Sequence, residues 1–283
     1  MKKYVFGDLS PKFLNKKNAS IVILPVCYDK TSTWIKGSDK GPKAILEASY
    51  NLEFYDIETN SEVYKKGIYT DKAIKGIKSP EKLVKTVEEN ILKWLDKDKF
   101  VVTIGGEHTI SVGVVKAIKK KYNNVSVLQL DAHSDMRNEY LGSKYNHACV
   151  MSRIIEICPI VQVGIRSMDI EETSKIDKNK IFYAKDIYNH NEWMKSAIKT
   201  LTDTVYITID LDVFDPSFIP STGTPEPGGL DWYRVLKFLK HVSQYKKIIG
   251  FDVVELCPNK HNRAPDFFAA KLIYKLLSYI YSE

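Results

Sequence analysis

A short apolar segment that ends in potential metal ligands constrains this chain more than any other feature. Residues 125–130 read VSVLQL, and Asp131, His133 and Asp135 follow at alternate positions. A short run with apolar residues on both faces is typical of a buried strand in a parallel sheet. In extended backbone, residues at i, i+2 and i+4 point to the same side, so two carboxylates and an imidazole converge beyond the strand. A metal site and a solvated acidic turn both fit this single motif.

Three further apolar segments end in the same way. The segments, each with the acidic or histidine residues that follow it, are Phe100–Ile104 with His108, Val205–Ile209 with Asp210 and Asp212, and Ile248–Val254 with Glu255. In an open α/β sheet, the carboxyl ends of parallel strands meet at one edge, where ligands bind. Carboxylates brought close together repel one another unless a cation lies between them. The four segments together therefore favour a metal site over a solvated turn.

Strand and helix patterns alternate along the rest of the chain. Two more strands are predicted at Ile21–Val26 and Ile160–Ile165. Helices are predicted at Gly41–Leu52, Ser79–Leu95, Ser111–Tyr122, Val150–Ile157, Asn191–Leu201, Leu230–Tyr245 and Phe267–Tyr281. This order predicts an α/β fold with three layers, α/β/α, around a central and mostly parallel sheet. Since no Pro/Gly/Ser-rich linker divides the sequence, we expect a single domain over residues 1–283.

Charge and composition narrow the choice of partners and compartment. The net charge of +7 is carried almost wholly by lysine, and lysines spread along stretches such as residues 116–121 indicate solvated helix faces rather than a nucleic-acid surface. No apolar run approaches the roughly 20 residues of a membrane span. The apolar residues after Lys2 and Lys3 are too few for a secretory signal. Because the four cysteines also lack CxxC spacing, we expect a cytoplasmic protein with reduced thiols that binds neither nucleic acid nor membrane.

Four motifs of the chain resemble the signatures of a known enzyme family. They are GGEHT (Gly105–Thr109), DAHSD (Asp131–Asp135), DLDVFDP (Asp210–Pro216) and GTPEPGG (Gly223–Gly229). Together they are similar to those of the ureohydrolases, the arginase/agmatinase family of binuclear manganese hydrolases. The resemblance covers nearly the whole chain. It implies an arginase-like fold, a small-molecule guanidino substrate and a homo-oligomer, either a trimer or a hexamer.

The resemblance also implies two Mn²⁺ ions per chain and the residues that hold them. The ligands implied for the first ion are His108, Asp131, Asp135 and Asp210. Those implied for the second ion are His133, Asp212 and the two shared aspartates, Asp131 and Asp210. An oxygen-rich set with two imidazoles suits Mn²⁺ better than the thiolate-rich sets of structural zinc. Two ions close together lower the pKa of a bridging water, which makes hydroxide available to attack the guanidinium carbon.

Four residues receive roles in catalysis or substrate binding from the same resemblance. Glu255 matches the glutamate that clamps the guanidinium by charge-assisted hydrogen bonds, the alternative being a strand-end carboxylate in a surface ion pair. Asp135 would accept a proton from the hydroxide and pass it to the departing amine. His147 matches a histidine at the site mouth that shuttles protons or contacts substrate, the alternative being a plain helix cap. Asp169, in the acidic stretch Gly164–Glu172, is expected to face the distant ammonium group of the substrate.

The substrate is the part of the function that the sequence constrains least. Residues 136–154 resemble the agmatinase version of this segment, which favours cleavage of agmatine to putrescine and urea. Arginase, a hydrolase of another guanidino or formimino compound, a zinc amide hydrolase of the deacetylase-like fold and a catalytically inactive scaffold are the alternatives. Departures from the family pattern occur at Thr208, Ser221, His261 and the pair Pro265-Asp266. The last two leave the surroundings of Glu255 open, and with them the substrate preference.

Overall fold

One parallel sheet runs through the residues that the computed structural model describes, which are residues 4–282. Its strands are β1 (Ile21–Cys27), β2 (Ile68–Thr70), β3 (Ile74–Lys75), β4 (Phe100–Gly105), β5 (Ser126–Leu130), β6 (Ile160–Ile165), β7 (Ile181–Tyr183), β8 (Thr204–Asp210) and β9 (Lys247–Val254). The strand order is β2-β1-β4-β9-β8-β5-β6-β7, and β3 also pairs with β1. All pairings between these strands are parallel. The expectation for Lys2 and Lys3 lies outside the described residues.

Helices cover both faces of this sheet. They are α1 (Gly41–Ser49), α2 (Pro80–Leu95), α3 (Ile110–Lys121), α4 (Val150–Ile154), α5 (Ala184–Ile187), α6 (Glu192–Thr200), α7 (Trp232–Tyr245) and α8 (Ala264–Tyr281). Ile21 and Ile23 of β1 pack into the core shared with α1, α6, α7 and α8, whereas Val22 and Leu24 pack into the core shared with α2, α3 and α4. Because side chains alternate across a strand and both faces are buried, the strands read as continuous apolar runs. The predicted three-layer α/β/α fold is confirmed.

The differences from the predicted elements have local causes. The strands that the sequence pattern missed, β2, β3 and β7, have two or three residues each and lie toward the sheet edges, so they carry no apolar run long enough to recognise. Helix α7 begins at Trp232 rather than Leu230 because the Asp231 side chain accepts a hydrogen bond of 2.9 Å from the Arg234 backbone N–H and caps the helix. Helix boundaries elsewhere differ by a few residues, as α1 and α4 end earlier and α8 begins earlier than predicted.

The four strands that end in potential metal ligands are neighbours at the centre of the sheet. In the order β4-β9-β8-β5, Leu130 of β5 pairs with Ile209 of β8, and Asp210 of β8 pairs with Val254 of β9. The strands therefore end level with one another. A glycine permits the close approach after β4, since a Cβ on Gly106 would lie 2.0 Å from the Tyr28 carbonyl oxygen. The residues that follow these four strands therefore lie together at one edge of the sheet.

Two smaller expectations concern thiols and membranes. The cysteines, Cys27, Cys149, Cys158 and Cys257, are free thiols, and two of them are buried. Between residues 4 and 282, no helix is both long and apolar enough to cross a bilayer.

A buried ion pair fastens the long helix α8 to the loop before β2. The Lys275 ammonium lies 2.9 and 3.0 Å from the two carboxylate oxygens of Asp56 and 2.7 Å from Glu58. Lys275 and Asp56 are both buried. Burial raises the pKa of the Glu58 carboxyl, but hydrogen bonds from Lys275 and Lys240 lower it more, to about 2. The stabilisation that Glu58 contributes is therefore present above its unfolded pKa and lost as the pH falls toward 2.

Replacing Lys275 with methionine should destabilise the protein strongly. The substitution keeps the apolar length of the side chain but leaves the Asp56 carboxylate buried without its partner, which costs about 3–5 kcal/mol. Urea unfolding at pH 7 measures this loss. The Lys275→Met variant should also lose less stability than the wild type on acidification from pH 5 to pH 2.

The matched control is Lys240→Met, in the same ion cluster. Lys240 pairs with Glu58 at 2.9 Å, but its side chain is 38% exposed, so its loss should cost less than about 1 kcal/mol. Equal losses of stability in the two variants would contradict the conclusion that the buried Lys275–Asp56 pair holds α8 against the loop before β2.

Candidate metal centre

His108 faces three carboxylates in a fully buried position after β4. Its Nδ1 atom lies 3.0 Å from an oxygen of Asp135, 3.2 Å from Asp131 and 3.6 Å from Asp210. All four side chains are buried. The structure therefore brings together the residues that the sequence assigned to the first ion.

His133 forms a second group beside the first. Its Nδ1 atom lies 2.9 Å from Asp212 Oδ2 and 3.8 Å from Asp131 Oδ1, whereas Asp131 Oδ2 faces His108. In each of the two groups, His108–Asp131–Asp135 and Asp131–His133–Asp212, the potential ligand atoms lie within 4.8 Å of one another. Asp131 thus offers one oxygen to each group, as a bridging ligand does. Asp210 directs Oδ2 toward the first group, and its Oδ1 accepts a hydrogen bond of 3.0 Å from the Asp212 N–H.

Local backbone geometry turns these side chains inward. Asp131 Oδ1 accepts a hydrogen bond of 2.6 Å from the His133 N–H, and Asp212 Oδ1 accepts one of 2.9 Å from the Ala132 N–H, which closes the turn after β5 onto the turn after β8. Asp135 and Glu255 have positive φ values of 53° and 65°. This conformation is uncommon for residues other than glycine, and such strain is concentrated at functional sites.

The hydrogen bonding of His108 tests whether a cation fits here. Its Nε2 atom lies 2.8 Å from the Thr208 hydroxyl, and that hydroxyl donates to Asp252 at 2.6 Å. Since the Thr208 proton is used, Nε2 must carry an imidazole hydrogen, so Nδ1 is the nitrogen that can offer a lone pair to a cation once it has lost its own proton. Nδ1 is buried and points at three carboxylates, the nearest 3.0 Å away. A bound cation would satisfy all four groups, and oxygen ligands with two imidazoles suit a divalent ion such as Mn²⁺.

Electrostatics across the cluster also favour added positive charge. Burial raises the pKa of Asp131 to about 7, and the nearby Asp212 and Asp135 carboxylates add to the shift. Burial and the same crowding hold the pKa of Asp210 well above its ordinary value. Burial lowers the pKa of His108, but Asp131 and Asp135 raise it more, so that it lies well above the usual range. Protons or cations must therefore compensate the cluster.

Asp252, inside β9, supports the first group and was missed by the sequence analysis. Its buried carboxylate accepts hydrogen bonds from Ser111 at 2.8 Å, Tyr206 at 2.5 Å and Thr208 at 2.6 Å. The chain Asp252–Thr208–His108 fixes the imidazole orientation, as partners of metal-binding histidines commonly do. The sequence feature that could have indicated this role is a single aspartate within the otherwise apolar run of residues 248–254. The hydroxyl of Thr208 fills this position although serine is usual there in the family pattern.

A cavity of about 140 Å³ opens onto both groups. Its wall contains Ser32, Thr33, Trp34, His108, His133, Asp135, Arg137, Tyr140, His147, Ala148, Asp210, Asp212, Gly223, Thr224 and Glu255. Glu255 Oε1 accepts a hydrogen bond of 2.7 Å from the His108 N–H. Burial raises the pKa of the Glu255 carboxyl, and the neighbouring Glu107 raises it further. Glu255 therefore lies in the cavity and not in a surface ion pair.

His147 lines the cavity and contacts a loop, residues 30–32, that Glu107 holds in place. Glu107 is fully buried and accepts hydrogen bonds from the backbone N–H groups of Lys30, Thr31 and Ser32 at 2.6–3.2 Å. The Thr31 hydroxyl donates to Glu107 at 2.6 Å and lies 3.2 Å from His147 Nδ1. Burial lowers the pKa of the His147 imidazole.

Asp169 lies outside the cavity wall. Its side chain caps the short helix Ile170–Lys175 and pairs with Arg137 at 2.8 Å. Only Arg137 of this pair lines the cavity. At the start of α8, His261 is exposed, Asp266 is buried and pairs with Arg263, and neither lines the cavity.

Comparisons with known proteins show which proteins this chain resembles. A sequence profile described as the Arginase family matches residues 19–278. A protein of Synechocystis sp. named N(1)-aminopropylagmatine ureohydrolase is 41% identical, over 93% of this chain and 89% of its own length. The agmatinase of Pyrococcus horikoshii is 32% identical, over 95% of each chain.

A solved structure extends the likeness to three dimensions. The agmatine ureohydrolase of Thermoplasma volcanium superposes with a TM-score of 0.88 at 30% identity, covering 99% of this chain and 95% of the other. The predicted family and the predicted class of enzyme, the amidinohydrolases, are confirmed. The chain belongs to the arginase family.

Proposed function

We propose that this protein is a manganese-dependent amidinohydrolase that cleaves agmatine to urea and putrescine, and that residues 1–283 form its single ureohydrolase domain. The observation that carries the proposal is the buried Nδ1 atom of His108, which faces three carboxylates in the wall of a cavity that also contains Glu255. Two Mn²⁺ ions per chain would be held by His108, Asp131, His133, Asp135, Asp210 and Asp212. We also propose a cytoplasmic homo-oligomer, a trimer or hexamer, which the family resemblance supports.

The charges of the cavity wall support a guanidinium substrate. When bound, divalent cations lower the pKa of water, so that hydroxide is available near neutral pH. Glu255 would accept hydrogen bonds from the guanidinium N–H groups and hold its carbon toward the metal ligands. Asp135 borders both the cavity and His108, so it is placed to accept a proton and return it to the departing amine. His147 would contact the substrate or exchange protons with solvent at the mouth.

The mouth of the cavity favours a substrate without a carboxylate. Arg137 is the arginine in its wall, and Asp169 already occupies its guanidinium at 2.8 Å. Tyr140 lies under the same guanidinium, 4.8 Å from its carbon. The α-carboxylate of arginine would have to approach this guanidinium beside the Asp169 carboxylate, which repels it. In this arrangement Asp169 acts on substrate choice through Arg137.

A longer substrate, N1-aminopropylagmatine, is the second candidate. The Synechocystis relative bears that substrate in its name. In this chain Trp34 lines the cavity and is 70% exposed, so its ring face is available to a cation at the mouth. A secondary ammonium on an extended tail would gain a cation–π contact there.

Asp131→Ala should remove both metal ions. The substitution takes one ligand from each group and leaves the remaining carboxylates less well compensated. Metal content after desalting of Mn²⁺-loaded protein should fall from two ions per chain to fewer than one. Asp215→Ala is the control, because Asp215 lies in the same motif as Asp210 but outside both ligand groups, where it accepts hydrogen bonds from the backbone N–H groups of Ser217, Gly228 and Gly229. Two tightly held ions in Asp131→Ala would refute the bridge.

Glu255→Gln should lose most activity and keep both metals. The amide preserves the shape of the side chain but removes the negative charge that faces the guanidinium, and a hydrogen bond to a charged group contributes about 1.5–3 kcal/mol. A loss of roughly 10- to 100-fold in kcat/KM follows. The exposed Glu171→Gln serves as the control. An unchanged kcat/KM would exclude Glu255 from substrate binding.

Agmatine should be hydrolysed at least on the order of a hundredfold faster than arginine at equal concentrations well below saturation. Arginine would desolvate a carboxylate beside a guanidinium that Asp169 already occupies, at a cost of several kcal/mol. Urea release from agmatine, arginine and N1-aminopropylagmatine measures the preference. Arginine turnover equal to that of agmatine would overturn the agmatinase assignment, and a higher kcat/KM for the aminopropyl compound would favour the second candidate.

A further inference from the structure

Arg166, which follows β6, directs its whole guanidinium into a ring of backbone carbonyls. It donates hydrogen bonds to six carbonyl oxygens, those of Gly164, Asp212, Val213, Phe214, Glu226 and Pro227. The shortest of them are to Asp212 at 2.5 Å and Glu226 at 2.8 Å. The planar group thus joins the turn of residues 212–214 to the loop at residues 226–227.

The backbone around Arg166 is joined to the third segment of the same site. The Arg166 N–H donates to the Ala132 carbonyl at 2.8 Å, and Ser167 pairs with His133 as an isolated parallel bridge. Gly164 makes this approach possible, since its φ is +95° and a Cβ there would lie 3.0 Å from the Asp131 carbonyl oxygen. One residue therefore contacts the segments that carry Asp131, His133 and Asp212.

Glu226 completes the arrangement on the outer side of His133. Its carboxylate lies 3.7 Å from His133 Nε2, opposite the Nδ1 atom that faces Asp212. Arg166 holds the Glu226 backbone through hydrogen bonds from Nε and Nη2. At this distance the carboxylate acts on the His133 imidazole through its charge rather than through a direct hydrogen bond.

We propose that Arg166 is the positioning residue for the second metal ion, the one assigned to His133 and Asp212, and that the first ion does not depend on it. His108 has its own support in Thr208 and Asp252, and the turn that carries the shared Asp131 is held by the Arg166 backbone N–H, which a side-chain substitution keeps. The inference rests on the two-ion centre of the proposed function. Lysine cannot replace Arg166 fully, because a single ammonium cannot reach carbonyls spread around a planar guanidinium.

The test is titration of metal-free protein with Mn²⁺, with metal content after desalting as a second readout. Arg166→Met should weaken one ion by about 10- to 100-fold, the range for loss of an outer partner of a metal ligand. The other ion should keep wild-type affinity, and Arg166→Lys should lie between. In a His133→Asn background, where the second ion is already weakened, adding Arg166→Met should leave the affinity for the remaining ion unchanged.

Arg234→Met controls for a purely structural effect. Arg234 also donates to backbone carbonyls, those of Ile187 and Tyr188, which belong to neither metal-ligand turn. The Arg234→Met variant should have a lower thermal midpoint of unfolding without metal, and it should still bind both ions.

Each outcome decides the inference. Wild-type affinity for both ions in Arg166→Met, or equal weakening of both, would overturn it. If Arg166→Met does not fold, the same two measurements are made on Arg166→Lys. Weaker binding of one ion, with the other unchanged, then supports the assignment. Fewer than two ions in the wild type would instead overturn the metal centre of the proposed function, and the inference with it.

Discussion

Mutual repulsion among buried carboxylates governs the architecture of this site. Asp131, Asp135, Asp210 and Asp212 are all nearly inaccessible to solvent, yet they lie at the ends of adjacent strands where nothing can separate them. Ionised together without a counter-charge they would cost far more than the fold gains from a few hydrogen bonds. Bound cations would resolve this conflict. The same crowding that makes the metal-free cluster unfavourable makes it a strong ligand set.

The remaining polar residues are arranged to keep that ligand set fixed. Asp252 and Thr208 orient His108 from within the sheet, whereas Arg166 holds the turns around His133 from outside it. Glu107 holds a third unit, the loop that brings Thr31 against His147. Each functional histidine thus has a separate support. Under the proposed function, this division would give a wholly parallel sheet, which supplies only strand ends, distinct metal and substrate sides.

The sequence predicts which side chains meet at this edge of the sheet, because the carboxyl ends of parallel strands lie together there, a rule that needs only the strand pattern. It does not predict Asp252, since a carboxylate inside an apolar run acquires its role only when Ser111 and Tyr206 pack against it. The role of Arg166 is not predicted for a similar reason, since most of the backbone carbonyls that accept its hydrogen bonds lie about 45 to 60 positions away along the chain. The sequence analysis expected Asp169 to face the ammonium group of the substrate. It could not foresee the ion pair between Asp169 and Arg137, because nothing in the local sequence indicates that contact.

Crystallography of Mn²⁺-loaded protein, with anomalous diffraction at the manganese edge, tests the central claim most directly. The account predicts two anomalous peaks per chain. One peak should lie against His108 Nδ1 and Asp135, the other against His133 Nδ1 and Asp212, with Asp131 in contact with both. A single peak, or peaks away from these atoms, would contradict the conclusion that the carboxylate cluster is built around two cations.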